Sequence, residues 1–183
     1  MKPINSLLLA SVFPGAIVGA APLKVDPAKS SVTATFKQMG VPVDAKSKQS
    51  TAQPDYNAAK PPASKANVEI AVGSFDLGDA EYNKEVAKKE WFNAAQFPKA
   101  SFVSSAIAPA GAGKLNVSGT LSIKGRSAKV AFPLTVKTEG GKQVFEGALP
   151  IRRLAFNIGE GEWKDTSMVA DEVVIKFRVT AGQ

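Results

Sequence analysis

The sequence predicts an all-β protein with one short helix, in which about eight antiparallel strands form a barrel. Three observations predict this class. Apolar and polar or small residues alternate with period two in segment after segment, glycine-bearing turns separate these segments, and only one stretch has the composition of a helix. No repeat or change of composition divides residues 21–183, so we expect them to form one domain.

Six segments carry the alternation that predicts half-buried strands. They are residues 32–36, 68–72, 115–123, 130–136, 145–149 and 173–179. The one helix is predicted to begin after Asp79, which can cap it, and to run through residues 85–90 to Trp91 and Phe92. Polar residues and three prolines between positions 46 and 65 indicate a loop.

Residues 1–20 have the features of a secretory signal peptide. Lys2 supplies the positive charge, residues 7–18 form an apolar segment, and small residues at positions 18–20 fit a cleavage site after Ala20. The apolar segment is shorter than the roughly 20 residues that span a bilayer. We therefore expect export and a mature chain from residue 21. Because the sequence has no cysteine, attachment of a lipoprotein-type lipid is excluded.

The net charge and its distribution limit the kinds of partner that the sequence predicts. The chain has 23 basic and 16 acidic residues, a formal net charge of +7, and the basic residues are scattered among the predicted strands. Export and the absence of a basic block argue against a nucleic-acid partner. We expect lysines on solvated faces of the sheet, and transient contact with membrane surfaces as the one association that the charge favours.

The residue inventory limits catalysis. Without histidine and cysteine, the chain lacks the usual general base at neutral pH, the thiolate nucleophile and the commonest transition-metal ligands. Glu160, Glu162 and Asp165 cluster around Trp163, so an acid-catalysed hydrolase or a calcium loop can be considered. The spacing and oxygen density of a calcium loop are absent. We therefore expect no catalytic residue, no metal and no cofactor.

Three segments together resemble the YceI-like family. Residues 91–102 place two aromatics, a short turn, the Phe97-Pro98 pair and a strand with Phe102 in sequence. Residues 121–126 resemble the family's strand–turn step, and residues 151–173 resemble its C-terminal quarter. The resemblance covers nearly all of the predicted mature chain. It implies a lipocalin-like antiparallel β-barrel in the periplasm that binds a polyisoprenoid lipid.

The chain departs from the family's pattern at three places. Ala155 and Asn157 stand where the family usually has aspartate and glycine, and no phenylalanine lies near positions 48 and 49. The histidine–leucine pair that often precedes the end of the family's helix has no counterpart in residues 83–86. Neither the change at Ala155 and Asn157 nor the missing histidine–leucine pair removes apolar lining, but these two departures leave head-group recognition open. The missing phenylalanine leaves the pairing of residues 46–65 open.

The predicted ligand-binding residues are bulky and apolar. They are Phe36, Phe92, Phe97, Phe102, Leu121, Phe132, Phe156, Trp163 and Phe177. A barrel of this size either fills with side chains or holds one slender ligand. Four small strand residues are expected to leave room for that ligand, namely Ala34, Gly119, Ala131 and Gly147. Four cations are expected to meet a head group at the mouth, namely Lys124, Arg126, Arg152 and Arg153.

These observations predict a non-enzymatic carrier or sequestering protein of the periplasm that holds a polyisoprenoid or isoprenoid-quinone lipid inside the barrel. A second hypothesis is a β-rich interaction module with a solid core that binds a membrane-protein partner. A hydrolase acting through Glu160 and Glu162 is a third. The identity of the lipid, the physiological process and the oligomeric state stay open at this point.

Overall fold

The computed structural model describes residues 23–183, so the predicted signal peptide lies outside the described residues. Within that range, eleven strands form one antiparallel sheet, accompanied by one α-helix, α1 (Ala80–Ala87). No helix there is both long and apolar enough to cross a bilayer. The strands are β1 (Lys24–Val25), β2 (Ser31–Gln38), β3 (Val41–Ser47), β4 (Ser50–Asp55), β5 (Lys65–Ala71), β6 (Phe75–Asp76), β7 (Lys99–Pro109), β8 (Lys114–Ile123), β9 (Arg126–Glu139), β10 (Lys142–Arg152) and β11 (Val169–Gly182).

The sheet curls into an incomplete barrel. Its strand order is β4-β5-β7-β8-β9-β10-β11-β2-β3-β6, and β1 also pairs with β11. The chain passes from β3 into β4 and from β5 into β6, and backbone hydrogen bonds join these bends: Lys48 N to Ser74 O at 3.1 Å and Ala71 N to Gln49 O at 3.0 Å. Three strands are interrupted by a bend, so that each appears as two consecutive segments: β1 with β2, β3 with β4, and β5 with β6. If the two segments are counted as one strand in each case, the eleven strands become eight. The predicted all-β fold and its strand number are confirmed.

The register places the predicted alternating residues on one face of the sheet. Phe102 lies opposite Leu121 across β7 and β8, and Gly147 lies opposite Phe177 across β10 and β11. Residues that are paired across neighbouring strands point to the same face. The apolar positions of all the long strands therefore line the inside of the curl, where the main core cluster lies.

Helix α1 begins as predicted but ends early. Asp79 accepts hydrogen bonds from Glu81 N at 2.8 Å and Tyr82 N at 3.2 Å, so it is the N-cap. The helix stops at Ala87 and does not continue through residue 90. The chain folds back there because Trp91 is buried in the core, and Val86 O accepts from Phe92 N at 3.0 Å instead of continuing the helical ladder.

The prediction of a loop for the whole of residues 46–65 is wrong. β3 runs to Ser47, and β4 pairs along its length with β5, so only residues 48–49 and 56–64 lie between strands. The composition was misleading because β4 is at the end of the sheet order. An edge strand tolerates Pro54, which cannot donate to a second neighbour, and Ala52 still faces inward opposite Val68.

Candidate functional site

The curled sheet encloses a cavity of about 590 Å³. Inward-facing side chains of β2 to β11 form most of its wall, and helix α1 contributes Tyr82, Glu85 and Val86. The volume lies within the range of roughly 300–1,000 Å³ that is typical of ligand pockets. The interior is therefore not solid. The interaction-module hypothesis requires a solid interior, so the cavity argues against that hypothesis.

Seven of the nine predicted ligand-binding residues line this cavity: Phe36, Phe92, Phe102, Leu121, Phe132, Trp163 and Phe177. Phe97 and Phe156 lie outside the cavity wall. Phe97 covers the β8–β9 turn, where a Cβ added to Gly125 would stand 2.9 Å from its Cε1 atom. Phe156 is 3% exposed in the short 3₁₀ turn after β10 and packs in the core. Phe97 therefore packs on a turn, and Phe156 packs in the core. Neither residue lines the cavity.

Three phenylalanines form a continuous aromatic wall. The ring centroids of Phe102 and Phe132 are 5.4 Å apart, and those of Phe132 and Phe177 are 5.5 Å apart. Two of the rings lie directly against glycine backbone on the next strand. A Cβ added to Gly119 would stand 2.5 Å from Phe102 Cζ, and one added to Gly147 would overlap Phe177.

The expectation that the small residues leave empty space is therefore wrong in part. The Phe102 and Phe177 rings occupy the space beside Gly119 and Gly147. Ala131 is exposed on the outer face of β9, because the inward residues of that strand have even numbers. Ala34 does line the cavity.

Arg153 lies at the end of the cavity that the segments between β10 and β11 cover. It is 1% exposed and its guanidinium carbon stands 5.7 Å from the Trp91 ring centroid. Burial lowers the pKa of its guanidinium. The side chain donates five hydrogen bonds to backbone carbonyls, of Ala170 at 3.0 Å, Ile158 at 2.9 Å, Gly159 at 3.4 Å, Trp163 at 2.6 Å and Val169 at 2.7 Å.

The guanidinium group has five N–H donors, so Arg153 has none left for a ligand. Its hydrogen bonds instead tie the two 3₁₀ turns, Arg153–Phe156 and Gly161–Lys164, to the start of β11. This explains the position of Gly159 (φ +85°), where a Cβ would overlap the guanidinium. Arg153 therefore organises the covered end of the cavity and does not bind a head group there.

Two tryptophans pack beside Arg153. The ring centroids of Trp91 and Trp163 are 5.3 Å apart, and both residues line the cavity. Trp91 Nε1 is the one buried side-chain polar atom, among those that the structure describes, without a hydrogen-bond partner. Trp91 is thus held by the packing of its ring against Trp163 and Arg153. Because both tryptophans line the cavity, its wall contains two fluorescent side chains.

Arg153 lines the cavity, but the other three predicted head-group cations lie off its wall. Lys124 is buried, and its Nζ donates to Lys89 O at 2.8 Å, Asn157 O at 2.7 Å and Glu160 Oε2 at 2.8 Å. Arg126 lies within hydrogen-bonding distance of the Asn157 side chain. Arg152 is exposed and pairs with Asp171 at 3.5 Å. These cations connect loops of the fold.

Asn157, one of the departures from the family's pattern, has a left-handed backbone (φ 55°, ψ 31°). Glycine is the residue best suited to that conformation, and asparagine is among the few side chains that tolerate it. The substitution therefore keeps the turn that presents Asn157 O to Lys124.

Two of the three carboxylates near Trp163 have a lowered pKa. Lys124 donates a hydrogen bond to Glu160 and lowers the pKa of that carboxyl. The Ser167 hydroxyl and backbone N–H do the same for the pKa of Asp165. A glycosidase acid needs a raised pKa, so neither group suits that role. Among residues 23–183, no three potential ligands come together as a metal site.

Several wall residues were not predicted. Leu149, Val173 and Ile175 line the cavity, and the period-two alternation of their strands could have found them. Trp91 was recognised in the aromatic segment but not placed on the site. Tyr82, which is 54% exposed and also lines the cavity, had no signal in the sequence because its helix has no buried residue.

The fold and the cavity define a class, the small β-barrel proteins whose curled antiparallel sheet encloses an apolar cavity. The family described as the YceI-like domain matches residues 23–181. This protein belongs to the YceI-like family, as the sequence segments predicted.

Curated relatives have the name UPF0312 protein. One from Shewanella oneidensis is 30% identical over 139 residues, which cover 74% of this chain and 73% of the relative. One from Pseudomonas savastanoi is 35% identical over 85 residues, 46% of this chain and 44% of the relative. The match thus spans less than half the length of the Pseudomonas relative.

Solved structures share the fold. Burkholderia cenocepacia BcnA is 54% identical, with a TM-score of 0.84 over 86% of this chain and 99% of BcnA. A polyisoprenoid binding domain from Saccharophagus degradans, implicated in plant cell wall breakdown, is 15% identical, with a TM-score of 0.67 over 88% of this chain and 97% of that domain. At that identity the Saccharophagus likeness concerns the fold alone.

Proposed function

We propose that this protein binds a polyisoprenoid or isoprenoid-quinone lipid inside the curled sheet and carries or sequesters it without chemical conversion. The observation that carries this proposal is the cavity of about 590 Å³ with its aromatic and aliphatic wall. Most of this wall is apolar and offers an apolar chain a place out of water, while a few charged side chains, among them Lys48, Lys65 and Glu85, also line the cavity. The fold of the Saccharophagus domain, which is described as polyisoprenoid binding, supports the same class of ligand.

Hydrophobic burial supplies enough free energy for this ligand. At about 0.8 kcal/mol per buried carbon, one five-carbon isoprene unit contributes roughly 4 kcal/mol before costs. Three units match the roughly 12 kcal/mol of nanomolar binding, and each further unit adds a surplus that offsets the ordering of the chain. No polar recognition is required for affinity, which agrees with a site where Lys124 and Arg153 donate their hydrogen bonds to the protein itself.

The proposed binding residues are the seven predicted side chains on the wall, joined by Trp91 from the covered end. Phe102, Phe132 and Phe177 form the aromatic side, and Leu121 faces Phe102 across the strand pair. Phe97 and Phe156 are left out of the proposed site. We further propose that residues 1–20 direct the protein to the periplasm, where a lipid carrier between membranes would act.

The two tryptophans of the chain provide the test, because Trp91 and Trp163 both line the cavity. Residues 21–183 are titrated with a prenyl quinone in mild detergent while tryptophan emission is recorded. Since a quinone quenches nearby indoles, we expect saturable quenching by the prenyl quinone and only linear, collisional quenching by the same quinone ring without its chain. Linear, unsaturable quenching, together with no prenyl lipid in a solvent extract, would reject lipid binding.

A further inference from the structure

The hairpin that joins β2 to β3 has an unexpected residue at its tip. Met39 (φ 49°) and Gly40 (φ 80°) both have left-handed backbones, the pattern of a two-residue type I′ turn. Asparagine, aspartate or glycine normally occupies the first position, since other side chains are strained there. Methionine is also 70% exposed at this position. Neither local conformation nor burial in the fold explains why a large apolar side chain is there.

Met39 is part of a contiguous exposed surface. Val41 is 63% exposed and Met168 is 43% exposed. Met39 N donates a hydrogen bond to Met168 O at 2.8 Å, which joins the hairpin to the residue before β11. Met39, Val41 and Met168 are called the apolar tip below.

The apolar tip is continuous with the cavity. Val41 and Val43 are on the same face of β3, because side chains alternate along a strand. Val43 lines the cavity, and so does Phe36, its partner across β2 and β3. Apolar side chains therefore continue from Phe36 and Val43 on the cavity wall to Val41 at the tip, where Gln38 is the cross-strand partner.

We propose that the apolar tip docks on the surface of a lipid bilayer, so that an isoprenoid can pass between the membrane and the cavity. This inference rests on the proposed function, since it concerns the route of the same ligand. The tip is too small for a stable protein partner, whose interface buries roughly 800 Å² on each side. A bilayer, by contrast, accepts single apolar side chains, and flexible methionines adapt to it.

Charge favours an anionic bilayer. Lys37 is exposed, lies opposite Pro42 on the same hairpin, and has no ion-pair partner among residues 23–183. The whole chain carries +7. Attraction between lysines and anionic lipids adds to apolar insertion and brings the hairpin toward the surface. The occupant of this surface is therefore a membrane that contains acidic phospholipid.

Met39→Asn separates docking from folding. Asparagine tolerates the left-handed backbone better than methionine, so the variant should be at least as stable as wild type in urea. Its co-flotation with cargo-free vesicles of phosphatidylcholine and phosphatidylglycerol should fall. Its uptake of a prenyl quinone from vesicles of the same phospholipids that are loaded with the quinone should slow by roughly tenfold. Val103→Thr is the matched control, because Val103 is 52% exposed on the outer face of β7. It should behave as wild type.

The outcomes are distinguishable. Slower uptake by Met39→Asn, with an unchanged quinone affinity in detergent, supports docking by the tip. Equal flotation and uptake for Met39→Asn and wild type overturns docking while lipid binding stands. Equal losses for Met39→Asn and Val103→Thr also overturn it, because the effect would then belong to any exposed apolar residue. If wild type fails to bind the quinone in detergent, the proposed function itself is rejected. Flotation with cargo-free vesicles involves no quinone, so it still tests whether the apolar tip docks on a membrane.

Discussion

The ring of Phe177 lies against the backbone of Gly147 on the neighbouring strand, so closely that a Cβ at that glycine would overlap the ring and stand 3.0 Å from its Cε1 atom. The same arrangement joins Phe102 to Gly119. Each glycine leaves room for a phenylalanine ring close to the backbone, and a Cβ there would force the ring to move. The two glycines thus set where these rings stand in the cavity wall.

Gly147→Ala should push the Phe177 ring into the cavity. We expect a loss of about 1–3 kcal/mol in the free energy of unfolding from overpacking, together with weaker quenching by a prenyl quinone. Gly73→Ala is the matched control, because a Cβ there meets nothing within 4 Å. Denaturation in urea and quinone titration of both variants check this. Unchanged quinone affinity in Gly147→Ala would show that the ring does not border the ligand.

Leu121→Trp should fill the cavity and exclude the lipid. Since the enlarged side chain enters existing space, we expect a change of less than about 1.5 kcal/mol in stability and a large loss of bound prenyl lipid in solvent extracts. Val144 is 1% exposed and does not line the cavity, so Val144→Trp should destabilise by more. If Leu121→Trp destabilises as much as Val144→Trp, the interior behaves as a solid core.

Period-two alternation predicted the strands, their inward faces and, with the aromatic segment, most of the cavity wall. The sequence did not predict which side chain would cover Gly147. The covering ring depends on the register between β10 and β11, which places Phe177 opposite this glycine. Arg153 was also misplaced. An arginine in a loop is ordinarily exposed, and the five carbonyls that bury this one come from separate segments that meet only in the folded protein.

Arg153→Met should be strongly destabilising. The substitution removes five hydrogen bonds and leaves buried carbonyl groups without donors, so we expect a loss of at least about 3 kcal/mol in the free energy of unfolding. The neighbouring Arg152→Met provides the control, since Arg152 is exposed in a surface ion pair and should change stability by less than about 1 kcal/mol. Urea denaturation compares the two. Similar small losses would contradict the organising role of Arg153.

Stability should fall at acid pH through Glu160 among other carboxylates. The hydrogen bond from Lys124 lowers the pKa of this carboxyl below its ordinary 4.5. A carboxyl with a lowered pKa in the folded state stabilises the fold above its unfolded pKa, and this contribution is lost as pH falls through the folded pKa. Glu160→Gln should therefore be less stable than wild type at neutral pH and lose less stability below about pH 4.5.

Urea denaturation across that pH range measures this difference. Glu162→Gln is the matched control, because Glu162 is exposed and has no ion-pair partner among residues 23–183. Parallel pH dependences for Glu160→Gln and wild type would show that the Lys124–Glu160 pair does not contribute to acid sensitivity.

Mass spectrometry of the intact mature protein under non-denaturing conditions tests the central claim most directly. Wild type purified from a host that makes isoprenoid quinones should show a fraction with an added mass equal to a prenyl lipid, and this fraction should disappear in Leu121→Trp while the protein remains folded. A wild-type spectrum with only the mass of the polypeptide, unchanged after incubation with a prenyl quinone, would contradict lipid binding in the cavity.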